Sequence, residues 1–505
     1  DLTPEQYHCP EQVRHAVART LGVSEQALEP FCIVRRSIDC RRRNVLYHCT
    51  VEVGTVGLDG STQQTNLQPL TRTLVIVGAG PAGLFAALRA LQLGWRPVIV
   101  ERGKPVDERR KDIVSMVRTK EVDPDSNWCF GEGGAGTYSD GKLFTRSTKR
   151  GDVGAVLRKF IEHGADENIL IDAHAHIGTD RLGPIITNMR HTIEQHGGEY
   201  HFGKKVVDLA FDGDRVCGVV DHEGNRYDGI AVILATGHSA RDIYRLFARK
   251  GWAIEPKPFA LGVRVEHPQK LINTIQYHTS RHSPLLPPAT YSLATQVDGH
   301  GVFSFCMCPG GVIVPATTAE GYQVVNGMSN SRRNSPYANS GIAVSVGLDD
   351  VPEYTSEGVF ALLRFQEAVE RCMYTVSGEN GCAPMQTLTD FCEERMSPQL
   401  NKTNYMGSVV AAPLHELLPA FVVKSLQKAF KHFDRKMRGF YTSEASLLAV
   451  ESRTSSPVRI PRAGDMQHPQ LRGLYPCGEG AGYAGGIVSS AMDGINAVME
   501  LAGVQ

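Results

Sequence analysis

The chain has 505 residues, and at about 150 residues per domain this length predicts roughly three domains. Lys and Arg number 53 against 54 Asp and Glu, so the net charge is −1, which argues against a polyanion-binding surface; we expect no nucleic-acid partner. The twelve cysteines include no C-x-x-C pair, which disfavours a zinc ribbon and indicates free thiols in a reducing compartment. No uninterrupted apolar run reaches the roughly 18 residues of a membrane span, and we predict a soluble chain.

The first 70 residues predict a small N-terminal α+β module. Apolar periodicity indicates a helix at Val13–Leu21, and β-branched and aromatic residues indicate strands at Phe31–Ile38 and Val45–Val53. Arg41–Arg43 would form the solvated tip of this hairpin, because three charges lack the wider basic face that a nucleic-acid partner needs. The polar stretch Gly57–Gln68 is typical of a linker.

An α/β segment follows, from residue 71 to about 258. It begins with a strand, a glycine turn, a helix and a second strand, and it continues through two helical regions to a buried strand. The corresponding ranges are Leu74–Val77, Gly83–Leu93, Pro97–Val100, Val153–His163, Gly183–His196, the short strands Tyr200–Phe202, Val206–Phe211 and Val216–Asp221, and Ile230–Leu234.

The sequence pattern of residues 259–441 differs from that of the preceding α/β segment and predicts an inserted α+β substrate or cap domain. The expected strands are Phe303–Met307, Val312–Pro315 and Tyr322–Met328, and the expected helices are Val359–Cys372 and Glu416–Phe433. The α/β texture returns over 442–505 and ends in Gly478–Leu501, a glycine turn that leads into a helix.

The strongest motif is Gly78-x-Gly80-x-x-Gly83, which directly follows a strand and opens a helix. The first glycine allows a tight turn, the second lets a pyrophosphate approach the backbone, and the third lets the helix pack close to the strand. The helix N-terminus adds N–H groups and a partial positive charge. Glu101 ends the next strand, where an acidic residue grips a ribose and favours one without a 2′-phosphate. Together these features predict a dinucleotide site.

Three further stretches indicate which dinucleotide: ILATG at 233–237, LYPCGEG at 474–480 and GGAGTYSDGK at 133–142. With them the chain resembles the glutathione-reductase-type FAD superfamily, and more closely a family of FAD-dependent dehydrogenases. Phrases similar to those of that family run through most of the chain: RRSID (35–39), NWCFGEGGAGTYSDGKL (127–143), HIGTD (176–180), ATGHSARD (235–242), KPFALGVRVEHP (257–268), FSFCMCPGG (303–311), VNGMS (325–329), ESRTSSPVRIPR (451–462) and GLYPCGEGAGYAGGIVSSAMDGI (473–495).

The resemblance implies FAD as the cofactor and a three-layer, Rossmann-like α/β domain in two sequence-distant halves, 71–258 and 442–505. It implies cofactor contacts from several short stretches. The pyrophosphate would lie on Gly78, Ala79, Gly80, Pro81, Ala82 and Gly83, and the adenosine ribose on Glu101 with Arg102 beside it. Gly133, Gly134, Gly136, Thr137 and Ser139 would line the pyrophosphate and flavin edge, and the backbone of Val206 would meet adenine. Ala235, Thr236, Gly237 and Gly478 complete the site; Glu479, which replaces the usual Asp, would bond the ribityl chain, and Gly485, Gly486 and Ile487 would aim a helix N-terminus at the flavin N1–C2=O region.

The candidates for chemistry beside the flavin are Cys306, Cys308, His238, Arg453 and Arg459. At strand spacing the two cysteines face the same side and could form a thiol pair; the alternative is two small buried hydrophobes before a Pro-Gly turn. The arginines could bind an acidic substrate or form ion pairs at a domain joint. The histidine could act as an acid or base, or cap loop backbone.

We predict no metal site, because His174 and His176 lack a carboxylate-rich partner motif. We find no second strand–glycine-turn–helix motif for NAD(P)H, which would then visit only transiently, so we expect a small-molecule substrate or a protein electron donor as partner.

The expected function is therefore hydride transfer between flavin N5 and a substrate held under the cap domain. The alternatives are a thiol–disulfide flavoprotein, a flavin-carrying structural or assembly subunit, and a tRNA-modifying flavoprotein, against which the charge balance argues. The resemblance extends to bacterial cytosolic and plastid-type proteins, and implies the cytoplasm, or an organelle stroma after presequence removal.

Overall fold

The computed structural model of this protein describes residues 1–42, 44–54, 70–145, 148–279 and 283–503. The predicted linker Gly57–Gln68 and Arg43 of the predicted hairpin tip lie outside these residues. The described residues form thirteen α-helices: α1 (Pro4–Tyr7), α2 (Pro10–Leu21), α3 (Pro81–Gln92), α4 (Val106–Thr119), α5 (Val153–Glu162), α6 (Thr179–Gln195), α7 (Arg241–Lys250), α8 (Gln269–Tyr277), α9 (Ala361–Ser377), α10 (Leu388–Cys392), α11 (Leu414–Leu417), α12 (Ala420–Lys436) and α13 (Ile487–Ala502).

The same residues form twenty-one strands: β1 (Phe31–Asp39), β2 (Leu46–Val53), β3 (Arg72–Val77), β4 (Trp95–Val100), β5 (Glu199–His201), β6 (Val206–Asp212), β7 (Arg215–Asp221), β8 (Arg226–Asp228), β9 (Val232–Leu234), β10 (Glu255–Pro256), β11 (Phe259–Pro268), β12 (Ala294–Val297), β13 (His300–Cys308), β14 (Val312–Pro315), β15 (Val325–Met328), β16 (Tyr337–Val346), β17 (Cys382–Thr387), β18 (Ser408–Ala411), β19 (Ser446–Glu451), β20 (Val458–Arg459) and β21 (Leu474–Pro476). The molecule is thus a mixed α/β protein.

A five-stranded parallel sheet, in the order β21-β9-β3-β4-β5, carries the glycine turn that follows β3. Leu74 and Ile76 of β3 belong to the core shared with α3, α6 and α13, whereas Val75 and Val77 belong to the core shared with α7 and the antiparallel sheet β6-β7-β8. Successive side chains of a strand point to opposite faces, so an uninterrupted apolar run buries both faces of β3. The parallel sheet is therefore a middle layer, and β21 joins it from the far end of the sequence.

The second large sheet has seven strands in the order β12-β13-β16-β11-β19-β17-β18, all antiparallel neighbours except β17 and β18. Helices α8, α9 and α12 pack in its core. Strand β19 lies inside this sheet, although the sequence assigned residues from 442 onward to the FAD-binding half. An apolar run such as Ser446–Glu451 reads equally well as a strand of either sheet, because its pattern carries no information about its neighbours.

The described residues of the N-terminal module share the core of the seven-stranded sheet. The module's hairpin of β1 and β2 forms as predicted, but Leu2, Val13 and Tyr47 are buried in the core of the seven-stranded sheet. Arg36 of β1 also forms an ion pair with Asp172, in the segment between α5 and α6. The module is therefore packed onto the rest of the chain.

Across the ranges that the structure describes, no helix has the combined length and apolar character that crossing a membrane requires. All twelve cysteines lie within those ranges, and each is a free thiol.

Candidate functional site

A cleft of about 320 Å³ gathers most of the residues that the sequence predicted for a cofactor. It begins at the glycine turn after β3, passes the carboxyl ends of β9 and β21, and reaches β13 of the seven-stranded sheet. The predicted cofactor residues that line it are Gly78, Gly80, Pro81, Ala82, Glu101, Arg102, Gly134, Gly136, Ser139, Val206, Ala235, Thr236, Gly237, Gly478, Glu479, Gly485, Gly486 and Ile487. The predicted catalytic residues that line it are Cys306, His238 and Arg453.

Four residues predicted to contact the cofactor lie behind the lining of the cleft and support it. These residues are Ala79, Gly83, Gly133 and Thr137. A Cβ on Gly83 would stand 2.0 Å from the carbonyl oxygen of Gly78, so this glycine sets the packing of α3 against the turn. The amide of Gly133 donates to the carbonyl of Ala79 at 2.8 Å and ties the two glycine loops together. Direct contact of these four residues with the cofactor stays a prediction.

The glycine turn requires its glycines for steric reasons. Gly78 has φ 102°, and a Cβ there would lie 2.4 Å from the carbonyl oxygen of Ala235. Helix α3 begins directly after Gly80 and helix α13 directly after Gly486, and neither N-terminus has a side-chain cap. Uncapped N-termini present free N–H groups and a partial positive charge. The cleft thus collects two helix ends suited to negative charge.

The second glycine loop approaches the first so closely that side chains are excluded. A Cβ on Gly134, which has φ 60°, would lie 3.2 Å from the Cα of Gly80. Arg109 of α4 is fully buried beneath this loop, where it donates to the carbonyls of Asn127, Glu132 and Gly134 at 2.8–2.9 Å. Sequence reasoning missed Arg109, because its position in a charged helical segment gives no sign of burial.

Glu101 is more engaged with backbone than the spacing rule predicts. Its Oε1 accepts from the amides of Gly103 and Gly131 at 2.9 and 3.0 Å, and its Oε2 accepts from Ala79 at 2.8 Å. A carboxylate oxygen accepts two hydrogen bonds, so one position on Oε2 remains for a ribose hydroxyl. Neighbouring Arg102 lies over the ring of Phe130 and donates to Asp242 at 2.6 Å.

The end of the cleft nearest the seven-stranded sheet is polar and cationic. Lys142 lies there, with its Nζ 2.9 Å from buried Asp140, 3.9 Å from Sγ of Cys306 and 3.8 Å from Sγ of Cys308. Burial opposes the ionisation of Asp140, but the charges of Lys142 and Arg333 outweigh it and lower its pKa to about 2. The pair is therefore ionic at neutral pH. Cys308 itself is fully buried behind the lining, unlike Cys306.

Of the polar residues predicted for catalysis, His238 has a polar neighbour near each ring nitrogen. Its Nε2 lies 3.1 Å from the carbonyl oxygen of Arg453 and its Nδ1 3.2 Å from the carboxylate of Glu479. Arg453 lines the cleft, but its guanidinium pairs with buried Glu370 and donates to two hydroxyls. An ion pair at a domain joint was one of the two alternatives that the sequence left open for this arginine. Arg459 lies outside the lining, with its guanidinium 5.6 Å from the centre of the Tyr483 ring, and its catalytic role stays a prediction.

Comparison with known proteins identifies the family. An uncharacterised protein of Clostridium beijerinckii is 36% identical over 507 residues, which cover 95% of this chain and 93% of the relative. Residues 258–454 match the model of the C-terminal domain-like region of FAD-dependent proteins, and residues 1–54 match a domain of unknown function. This chain belongs to that family of FAD-dependent proteins.

The solved structures that match this chain include flavoproteins, at low TM-scores. A flavoprotein/dehydrogenase from Cytophaga hutchinsonii is 13% identical, over 86% of this chain and 79% of that one, with a TM-score of 0.37. The flavin-dependent brominase Bmp2 is 14% identical over the same shares, with a TM-score of 0.36. CtdE in complex with FAD is 11% identical over 86% and 84%, with a TM-score of 0.35. Similarity at this level does not define the reaction of this chain.

The residues of the cleft fit the FAD of this family. Two glycine loops leave a cradle that side chains would fill, and the uncapped N-termini of α3 and α13 face it. Backbone N–H groups at helix N-termini are suited to a pyrophosphate and to negative charge on a reduced ring. FAD is the cofactor of this FAD-dependent protein, and the cradle would hold it.

Residues that the sequence did not single out complete the lining, among them Lys142, Phe144, Phe305, Asn326 and Thr454. Lys142 and Asn326 stand inside two of the family-like phrases, DGK and VNGMS, so a search of those phrases for polar residues would have found them. Their convergence could not be predicted, because 184 positions separate them in the chain.

Proposed function

We propose that this protein is an FAD-dependent oxidoreductase that transfers a hydride between flavin N5 and a substrate held against the seven-stranded sheet. The observation that supports this proposal is the continuity of the cleft. The glycine cradle of the parallel sheet, Phe305 and Cys306 of the seven-stranded sheet, and Asn326 of β15, which pairs with β14, line one space. Bound FAD supplies a two-electron acceptor or donor at its isoalloxazine ring.

The chain itself supplies position and charge around that ring. Lys142 presents a cation to the cleft, where burial opposes its charge but the neighbouring thiols and Asp140 raise its pKa, so the charge persists at neutral pH. A fixed cation of this kind binds and orients an acidic or polar substrate group. Phe144, half-exposed beside His174, forms an apolar part of the same wall. These groups favour a small substrate that combines an apolar part with an anionic or carbonyl group.

The test begins with an absorbance spectrum of the purified protein, followed by anaerobic mixing with NADH and NADPH. Rapid bleaching of a flavin band by either nucleotide identifies a reductase that the nicotinamide visits transiently. A bound flavin that neither reduces identifies a different substrate or a protein electron donor. Absence of a flavin band even after addition of FAD would contradict the proposal.

A bulky side chain placed in the glycine cradle tests whether the cradle holds FAD. Gly80 has an extended backbone, and a Cβ there makes only ordinary contact, 3.9 Å from Gly134 Cα, so Gly80→Leu keeps the backbone and fills the cradle. We expect it to lose FAD with the fold retained. Gly464→Leu, at a position with open space around its Cβ, should bind FAD like the unmodified protein.

A further inference from the structure

The two cysteines at the end of β13 are brought together by an irregular backbone. In a regular strand, Cα atoms two residues apart lie about 6.6 Å from each other, near the upper limit for a disulfide. The register in which β13 pairs with β16 shifts between Phe305 and Cys308. Between these two residues, Cys306 has φ 45°, a left-handed conformation that a cysteine rarely adopts. As a result the two Sγ atoms are 3.9 Å apart. Strained backbone at a cleft wall is a reason to look for a role of the side chains it positions.

Charges around the pair are arranged to favour a thiolate on Cys306. The S–H of Cys308 can reach either the Cys306 carbonyl at 3.2 Å or the Cys306 sulfur at 3.9 Å. The hydrogen bond from Cys308, together with the charges of Lys142 and buried Arg264, lowers the pKa of Cys306 despite its burial. The same hydrogen bond and burial raise the pKa of Cys308. Because the two pKa values are shifted in opposite directions, the sulfur of Cys306, which lines the cleft, is the nucleophile, and the sulfur of Cys308 behind it stays protonated.

We propose that Cys306 and Cys308 form a redox-active dithiol/disulfide pair that exchanges two electrons with the FAD held in the same cleft. In the oxidising direction, the Cys306 thiolate and the Cys308 thiol form one S–S bond and release one proton and two electrons. The oxidised isoalloxazine takes up the two electrons with one proton, so the exchange balances. Lys142 is a positioning residue that stabilises the thiolate. This inference rests on the proposed function and narrows the substrate to a small thiol or disulfide that exchanges with Cys306.

The first test reads the thiols directly. Trypsin releases residues 282–332 as one peptide, which contains Cys306 and Cys308 and none of the other cysteines. The holoprotein is equilibrated in mixtures of reduced and oxidised dithiothreitol, blocked with N-ethylmaleimide and digested. We expect an unlabelled peptide, lighter by two hydrogen atoms than the dithiol, to accumulate as the buffer becomes more oxidising. Labelling of both thiols in every mixture would overturn the proposal.

The second test counts electrons. Anaerobic titration of the oxidised holoprotein with dithionite should take up four electrons per flavin, two for the ring and two for the S–S bond. Cys308→Ser should take up two, and the control Cys9→Ser, outside the cleft, should take up four. A value of two for the unmodified protein would contradict electron exchange. If a nicotinamide reduces the flavin but the peptide never forms a disulfide, this inference is wrong and the proposed function stands. If the protein binds no FAD, the proposed function itself is wrong.

A third test addresses Lys142. Iodoacetamide reacts with thiolates, so its rate on Cys306 at neutral pH follows the thiolate fraction. We expect Lys142→Met to move the pH profile of that rate toward higher pH, with the rate on the rising limb about tenfold lower for each pH unit that the profile moves, and Lys142→Arg to restore the profile. An unchanged profile in Lys142→Met would remove Lys142 from this role.

Discussion

Alanine at Gly83 sets two physical effects against each other. Gly83 lies in the first turn of α3, where alanine is favoured over glycine by about 1 kcal/mol of helix propensity. A Cβ there, however, would lie 2.0 Å from the carbonyl oxygen of Gly78 and 3.2 Å from Cγ2 of Ile76. Neither neighbour can yield easily, because one is backbone of the glycine turn and the other is fully buried. We therefore expect Gly83→Ala to destabilise the protein.

The magnitude follows from the overlap. Ordinary Cβ contacts begin at about 3.4 Å, so α3 must move by roughly 1.4 Å to accommodate the methyl group. Overpacking of this kind costs about 1–3 kcal/mol, and helix propensity offsets at most about 1 kcal/mol. The movement also displaces Gly80, Pro81 and Ala82, which line the cradle, so we expect FAD affinity to fall by at least about tenfold.

Urea unfolding of the FAD-free protein, followed by circular dichroism, measures the first effect, and quenching of flavin fluorescence measures the second. Gly464→Ala is the control, because its Cβ meets nothing within 4 Å. A Gly83→Ala protein as stable as the unmodified one, or more stable, would refute the packing argument and leave helix propensity as the dominant effect.

Three further outcomes can be checked on the same preparations. Burial raises the pKa of Glu266 to about 7, so between pH 4.5 and 7 the unfolded chain loses a proton that the folded chain keeps, and stability falls as pH rises. Glu266→Gln removes that loss and should be about 3 kcal/mol more stabilising at pH 8 than at pH 4 in urea titrations; a pH-independent difference would contradict it. Glu370, whose pKa is lowered to about 2 because the charges of Arg241 and Arg453 outweigh burial, stabilises the fold above its ordinary pKa of 4.5, and this stabilisation is lost as pH falls toward 2. Glu370→Gln removes the only carboxylate paired with Arg453 among the described residues and one of the two paired with Arg241, which keeps Glu367 at 3.7 Å. We expect a loss of about 3–5 kcal/mol at pH 7 that narrows in acid, measured by urea unfolding. Glu101→Gln replaces one of two accepting oxygens by a donor, so FAD affinity in fluorescence titrations should fall at least tenfold; unchanged affinity would show that the three amides do not depend on the carboxylate.

Local patterns predicted the dinucleotide half of the molecule well. The spacing of Gly78, Gly80 and Gly83 after an apolar run predicts a strand, a turn and a helix. Gly78 and Gly83 meet backbone at close range, since a Cβ there would lie 2.4 and 2.0 Å from a carbonyl oxygen. Helices α4 and α7 were not predicted. Both are rich in charged residues, and α4 shows no clear apolar stripe in the sequence. Helix α7 does show one, because Ile243, Tyr244 and Phe247 recur at helical spacing and pack in the core, so its sequence pattern could have predicted it.

Long-range pairing explains what the sequence could not show in the other half. Arg264, Glu266 and His267 are polar residues of strand β11, yet all three are buried. The strand lies inside the sheet between β16 and β19, and residues from distant segments cover its faces. The carboxylate that Arg264 pairs with belongs to Glu451, 187 residues away. The periodicity of residues within one segment carries no information about which residue so far away in the chain it will contact.

The buried ion pair links the core of the seven-stranded sheet to the cleft. Replacing such a pair with apolar residues is often neutral or stabilising, so stability alone does not account for it. Arg264 donates to Glu451 at 2.7 Å and to the side chain of Asn339 at 2.7 Å, and it also reaches Asn326 and the carbonyl of Cys306 at 3.2 and 3.3 Å. Two of these four partners, Asn326 and Cys306, line the cleft. A guanidinium has donors in a fixed plane, so one side chain held by Glu451 fixes both of them at once. We infer that the Arg264–Glu451 pair holds the irregular end of β13 in place, so that these buried charges position residues that line the cleft.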